Sequence, residues 1–206
     1  MKHFSRLFIT IILWSACTQA PQAPEAKTQE PQAAPTQLTG KPLKLSLQES
    51  KVIAIGTKVT GRHEISFPIE EGEISFAENG CITSGKILLN LQNLQVLDLE
   101  GELKQKLEKH LRSADFFMTD QHPKGIFEIT NCQKGNGDTL LLSGNLTLRG
   151  QTKNITFPVV LKPSEGGLNA KASFNINRQE WGIAYRGRAD DLIRDEVNIT
   201  LDIYAR

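Results

Sequence analysis

Four histidines, three cysteines and no familiar nucleophile motif make up the chemical inventory of this chain. His3 lies near the N-terminus, and His63, His110 and His122 are scattered through the rest without the paired spacing that metal ligation needs. Cys81 and Cys132 are the only cysteines after Cys17, too few for a Cys-rich zinc site. A GxSxG elbow and a phosphate-cradling glycine loop are both missing. Catalysis would need a base and a nucleophile brought together by the fold, and no motif announces them. The expectation is therefore a binding or interaction protein, not an enzyme, with no catalytic residue and no metal. With 24 basic against 23 acidic residues and a net charge of +1, a nucleic-acid surface is not expected either.

The elements that must position these residues show mainly as alternation. From Leu168 to Asn177 every even position is apolar (Leu168, Ala170, Ala172, Phe174, Ile176) and the odd ones are polar. Val197, Ile199, Leu201 and Ile203 form a second stripe, Leu140, Leu142, Leu146 and Leu148 a third, and Ile155, Phe157, Val159 and Leu161 a fourth. Period two means strands with one buried and one wet face. Less regular strands are expected over 50–59, 62–69, 73–78, 81–91 and 124–132, with turns at 78–80, 135–138 and 165–167. One segment differs. Leu99, Leu103, Leu107 and Leu111 recur every fourth residue between Asp98 and Ser113, the mark of an amphipathic helix. Glu100 with Lys104, and Glu102 with Lys106, are supporting pairs on it. Eight or nine antiparallel strands with short turns predict an all-β barrel, eight-stranded or slightly larger, with one inserted helix.

Cys81 opens the strand before the helix and Cys132 closes the strand after it. If those strands pair antiparallel the two cysteines meet, as a disulfide in an oxidising compartment or as two buried free thiols. Asn145, Asn154 and Asn198 each begin an Asn-x-Thr triplet and read as wet strand faces.

Upstream of the barrel the composition changes twice. Lys2 and Arg6 precede an apolar run from Leu7 to Trp14, too short to span a bilayer and suited to an export signal. The run ends in Ser15, Ala16 and Cys17, which resembles the lipobox of bacterial lipoproteins, with Trp14 where leucine is usual. That resemblance implies a signal peptide over 1–16 and acylation of Cys17, with a simple secretory signal as the alternative. Loss of Lys2 and Arg6 leaves 22 basic against 23 acidic residues, so acyl chains and not charge would hold the protein at a membrane. Residues 17–42 carry five of the nine prolines amid Gln, Ala and Thr, and no aromatic residue. Such a stretch predicts a disordered, semi-extended tether, leaving 43–206 as the folded domain.

Six segments of that domain are together familiar: TGRH at 60–63, KHLRSADFF at 109–117, HPKGIF at 122–127, SGNLTLRGQTK at 143–153, NRQEWGI at 177–183 and DEVNI at 195–199. In order and spacing they resemble the YceI-like family of bacterial periplasmic proteins. Asn145 stands where that family usually has Asp, and Glu64 where it usually has Gly. The resemblance implies a lipocalin-like barrel around a polyisoprenoid lipid.

A barrel of this size can be filled by its own side chains or hold one slim ligand, and alternation alone leaves both open. Small residues on inward faces (Ala170, Ala172, Gly144) and only ten aromatic residues after position 42 favour room inside. With the family resemblance, lining residues are expected at Phe116, Phe117, Phe127, Leu146, Leu148, Phe174, Ile176, Trp181 and Ile183. His63 and Arg178 are expected at the mouth. Alternatively the Phe116–Phe117 pair docks the helix, and Arg178 and Trp181 finish a strand. The implied protein sits on the periplasmic side of the bacterial envelope, anchored through Cys17, by preference in the outer membrane. Its partner is an isoprenoid lipid of quinone or prenyl type, with no cofactor beyond that lipid, and a homodimer is compatible. The other reading is a filled-core envelope interaction or stress protein with no ligand.

Overall fold

The structure, a computed structural model, describes residues 20–35 and 40–206. His3, the expected signal peptide and the expected acylation site Cys17 lie outside the described residues. The strands are β1 (Lys27–Gln29), β2 (Lys41–Lys44), β3 (Lys51–Lys58), β4 (Gly61–Ser66), β5 (Ile69–Phe76), β6 (Ile82–Asn90) and β7 (Gln95–Val96). Helix α1 (Gly101–Arg112) follows, then β8 (Lys124–Lys134), β9 (Thr139–Leu148), β10 (Gln151–Ser164) and β11 (Gly167–Asn177). A 3-10 turn (Arg178–Trp181), β12 (Gly187–Arg188) and β13 (Asp191–Ala205) complete the chain.

Neighbouring strands pair antiparallel in the order β2-β5-β6-β8-β9-β10-β11-β13-β3-β4-β7. The sheet curls on itself until Leu45 bridges Ala205, with Lys44 and Arg206 exchanging backbone hydrogen bonds of 2.7 and 2.9 Å. This is the all-β, lipocalin-like barrel class that the alternation predicts. The inward stripes of β9, β10, β11 and β13, neighbours in that order, turn to its interior. Between β9 and β10 the turn needs only Arg149 and Gly150. Both have positive φ, as a two-residue hairpin of this kind demands. Cys81 and Cys132 lie within disulfide distance, their α-carbons 5.9 Å apart, because β6 and β8 pair as expected.

The helix starts later than expected, and its leucines divide. Leu111 is buried, whereas Leu103 is 65% exposed. A spacing of four advances about 40° per step around a helix of 3.6 residues per turn, so the stripe winds off the packed face. Glu102 pairs with Lys106 at 2.8 Å, but Lys104 turns to Glu108 instead of Glu100. Glu108 also accepts the Val96 N–H at 3.0 Å, and Arg112 donates to the carbonyls of Gln92 and Leu94. The helix is thus held to the β7 loop by polar bonds at its C-terminal half.

The expected disordered tether is not found over residues 20–35. β10 and β11 pair only from Val160↔Lys171 to Ser164↔Gly167. Before Val160 the arm takes the place of β11 as neighbour of β10. β1 pairs with 154–156 of β10, while Ala26 N–H donates to Asn175 of β11 and Asn175 N–H to Pro24. Glu30 meets Lys153 at 2.7 Å, and Ala20 and Ala26 are buried. Unpaired strand edges supply the backbone partners that the arm's low hydrophobicity could not predict. The same contact corrects the reading of the three Asn-x-Thr asparagines. Asn145, Asn154 and Asn198 are 8%, 1% and 1% exposed: Asn154 donates to Asn145 and Thr130, Asn145 to Gln32 of the arm, and Asn198 to Ser173, Phe174 and Asn175 of β11.

Candidate functional site

Half of the barrel interior is filled. Phe157 stacks on Phe174 with centroids 4.0 Å apart, and Phe127 tilts against Phe157 at 5.8 Å. Gly144 does not leave a void. A β-carbon there would stand 2.3 Å from the Phe127 ring, so the glycine makes space that the ring occupies. Ala170 and Ala172 belong to the packed core with Leu140, Leu142 and Val159, and do not border the cavity described next.

Beyond the ring stack lies an inner chamber of about 130 Å³. β3 contributes Val52 and Ala54, β6 Ile87 and Leu89, and β13 Val197, Ile199, Leu201 and Ile203. Of the expected lining residues, Phe117, Phe127, Leu146, Leu148, Phe174, Ile176, Trp181 and Ile183 all border it. Phe116 does not. It packs with His110 and Tyr185 at centroid distances of 5.1 and 5.6 Å and so docks the helix, while Phe117 stands edge-on to Phe67 at 5.5 Å. Trp181 is fully buried, and its Nε1–H donates to the Leu146 carbonyl at 2.9 Å, fixing the 3-10 turn against β9. The β3, β6 and β13 contributions were missed as lining. The β13 stripe is visible in the sequence and β3 and β6 are less regular, but alternation marks only an inward face, not whether that face meets a void.

A second chamber of about 270 Å³ opens towards the helix and shares Ala54, Phe67, Phe117, Arg178, Ile183 and Val197 with the first. Leu107, Leu111 and Tyr185 border it on the helix side, and Lys58, His63, Arg188 and Asp191 give it a polar rim. His63 therefore sits at the vestibule, its Nδ1 2.8 Å from Asp98 Oδ2. Burial pushes the Asp98 carboxyl upward. The Glu64 N–H and the His63 ring outweigh this and hold it below its ordinary value of 3.8.

Arg178 is not at the mouth. It is 4% exposed, in the wall common to both chambers, and its guanidinium donates to the carbonyls of Arg194 and Ile183 and to the Asp195 carboxylate. Burial lowers its pKa and Asp195 opposes that, but a guanidinium stays charged. With its donors engaged at the strand end, Arg178 is a structural pin. A rigid guanidinium fork suits this role because it reaches several acceptors at once. Among the described residues no three of His, Cys, Asp and Glu gather into a metal-binding group.

A curled antiparallel barrel with an apolar inner chamber and a polar-rimmed vestibule defines a lipocalin-like fold. The family model described as "YceI-like domain" matches residues 43–205, and the chain belongs to that family. Among curated relatives, a UPF0312 protein of Pseudomonas aeruginosa is 35% identical over 92 residues, 44% of each chain. Protein YceI of Escherichia coli O157:H7 is 46% identical over 54 residues, 26% of this chain and 28% of that protein. These matches thus span less than half the length of those relatives. Among solved structures, Burkholderia cenocepacia BcnA superposes with a TM-score of 0.67 at 18% identity, covering 77% of this chain and 98% of that one. The Campylobacter jejuni YCEI protein superposes with a TM-score of 0.53 at 14% identity, covering 100% and 99%. At such identities the likeness concerns the fold alone.

Proposed function

We propose that this protein holds a polyisoprenoid chain, of quinone or prenyl type, in its barrel, for transport, storage or sequestration. The observation that carries the reading is a pair of adjoining chambers that share Ala54, Phe67, Phe117, Ile183 and Val197 in their linings. Every residue of the inner lining except Arg178 is apolar, and three of the five Arg178 N–H groups are directed at protein acceptors. A hydrocarbon chain entering such a space gains about 0.8 kcal/mol per methylene buried. The combined space is near the lower bound of small-molecule sites, roughly 300–1,000 Å³. It accommodates a short chain or one end of a longer one. The reading includes no catalytic step. It places the protein on the periplasmic side of the bacterial envelope, preferably at the outer membrane, anchored through an acylated Cys17.

The test is native and denaturing mass spectrometry of the full chain purified from a bacterial host without detergent. An apolar species present in the native spectrum and released on denaturation supports the carrier reading and gives the lipid class. A bare mass that stays bare after incubation with prenyl lipids favours the filled-core interaction protein, for which the Phe127–Phe157–Phe174 stack is the structural argument.

A further inference from the structure

Asp98 fixes the hydrogen of His63. Its Oδ1 accepts the Glu64 backbone N–H at 2.8 Å, and its Oδ2 lies 2.8 Å from His63 Nδ1. A carboxylate offers only acceptors, so the hydrogen between the pair belongs to Nδ1. In the neutral ring Nε2 is then a hydrogen-bond acceptor. Nε2 has no hydrogen-bond partner among the described residues, and its ring borders the vestibule. The cations around it are matched. Lys58 meets Asp191 at 2.5 Å, Arg188 meets Asp190 at 3.3 Å, and Arg178 meets Asp195 at 2.9 Å. A diphosphate entering the vestibule would have to break these pairs or bury its charge without compensation. A hydroxyl needs only the one free acceptor.

We propose that His63, positioned by Asp98, anchors a neutral hydroxyl at the end of the bound chain, so that the site selects a prenyl alcohol or hydroquinone over a prenyl diphosphate. The inference rests on the cavity being a chain-binding site. Asp98 is a positioning residue in this scheme. Its two oxygens are differentiated by the Glu64 N–H, which commits Oδ1 to acceptance and leaves the Oδ2 position to set the tautomer of the ring.

That differentiation supplies the test. The full chain is loaded with N-phenylnaphthylamine, which is displaced in parallel by farnesene, farnesol, farnesal and farnesyl diphosphate, four molecules sharing one chain. The native protein is expected to bind farnesol about three- to tenfold tighter than farnesene, as one hydrogen bond allows. Farnesal, which only accepts, should match farnesene, and the diphosphate should bind more weakly than farnesol. In Asp98→Asn the amide oxygen keeps the Glu64 N–H while the new NH₂ donates to Nδ1, moving the ring hydrogen to Nε2. Farnesal should then gain about three- to tenfold while farnesene does not change. A purely structural Asp98 would weaken all four alike. Should Asp98→Asn not fold, His63→Leu serves, expected to erase the difference between farnesol and farnesene. A diphosphate that binds as tightly as farnesol overturns the proposal, as does an alcohol–aldehyde order unchanged by Asp98→Asn. Failure of farnesene itself to bind overturns the cavity reading and this inference with it, whereas farnesene binding without head-group discrimination overturns this inference alone.

Discussion

The side-chain amide of Asn145 pairs with the peptide groups of Gln32 as one strand pairs with another. Gln32 N–H donates to Asn145 Oδ1 at 3.0 Å, and Asn145 Nδ2 donates to the Gln32 carbonyl at 2.7 Å. An aspartate, the residue that the family resemblance leads one to expect here, could accept the first bond but not donate the second. Asn145→Asp should therefore loosen the arm by about 1 kcal/mol. Limited proteolysis within 20–35 should accelerate by about fivefold, the factor that such an energy represents. Unchanged cleavage would show that the β1–β10 pairing holds the arm without Asn145.

Cys81 and Cys132 are 51 residues apart and enclose the helix. On the chain-entropy account, cross-linking a loop of this length stabilises by about 4 kcal/mol. The double variant Cys81→Ala/Cys132→Ala should lose close to that amount in a urea titration, with a steeper slope because the unfolded chain is no longer cross-linked. A loss below about 1 kcal/mol would mean that the bond does not constrain the unfolded chain.

Arg178 is expected to matter for folding before it matters for binding. Arg178→Ala removes the donor from two carbonyls and from the half-exposed Asp195 carboxylate, and should cost about 1–3 kcal/mol, the scale for leaving buried hydrogen-bonding groups unsatisfied. Arg178→Lys should recover only part, because a point charge cannot span the three acceptors. Chemical denaturation measures both. Full stability with lost ligand binding would return Arg178 to the role of head-group ligand.

Ala54 borders both chambers and is 6% exposed. Ala54→Phe should fill space in both chambers at a stability cost of about 1–3 kcal/mol. Binding of N-phenylnaphthylamine should fall sharply while the circular-dichroism spectrum stays the same. Undiminished binding would place the probe elsewhere.

Acid should weaken the vestibule rim. Lys58 is the main cause holding the Asp191 carboxyl below its ordinary 3.8, with two hydrogen bonds from Thr60 assisting against burial. Asp98 is also held below 3.8, burial notwithstanding, by the Glu64 N–H and His63. A carboxyl with a depressed folded-state pKa contributes stability fully above its unfolded pKa and loses it as pH falls through the folded value. The melting temperature should therefore hold down to about pH 4 and decline below it, and less steeply in Asp191→Asn. An equal acid slope in that variant would remove Asp191 from the account.

The sequence by itself determined the long strands and the turns between them. Both follow from local chemistry: alternation with period two, and glycine and asparagine at turns. The meeting of Cys81 with Cys132 depended on the non-local pairing of β6 with β8. Four residues that border the inner chamber, Leu146, Leu148, Phe174 and Ile176, stand on the alternating stripes, and the family resemblance added Phe117, Phe127, Trp181 and Ile183. The tertiary structure decided what lies behind each stripe. Gly144 faces a ring and not a void, Leu103 faces water, and Arg178 is consumed by three acceptors that lie from 5 to 17 residues away. The arm is the clearest case. Nothing in the composition of residues 20–35 can bury enough surface to order them, and they are ordered by backbone groups of β10 and β11 more than 100 residues distant. A chain's own pattern sets which face turns inward. Only the register of remote strands sets whether that face meets a side chain, an empty space or another stretch of backbone.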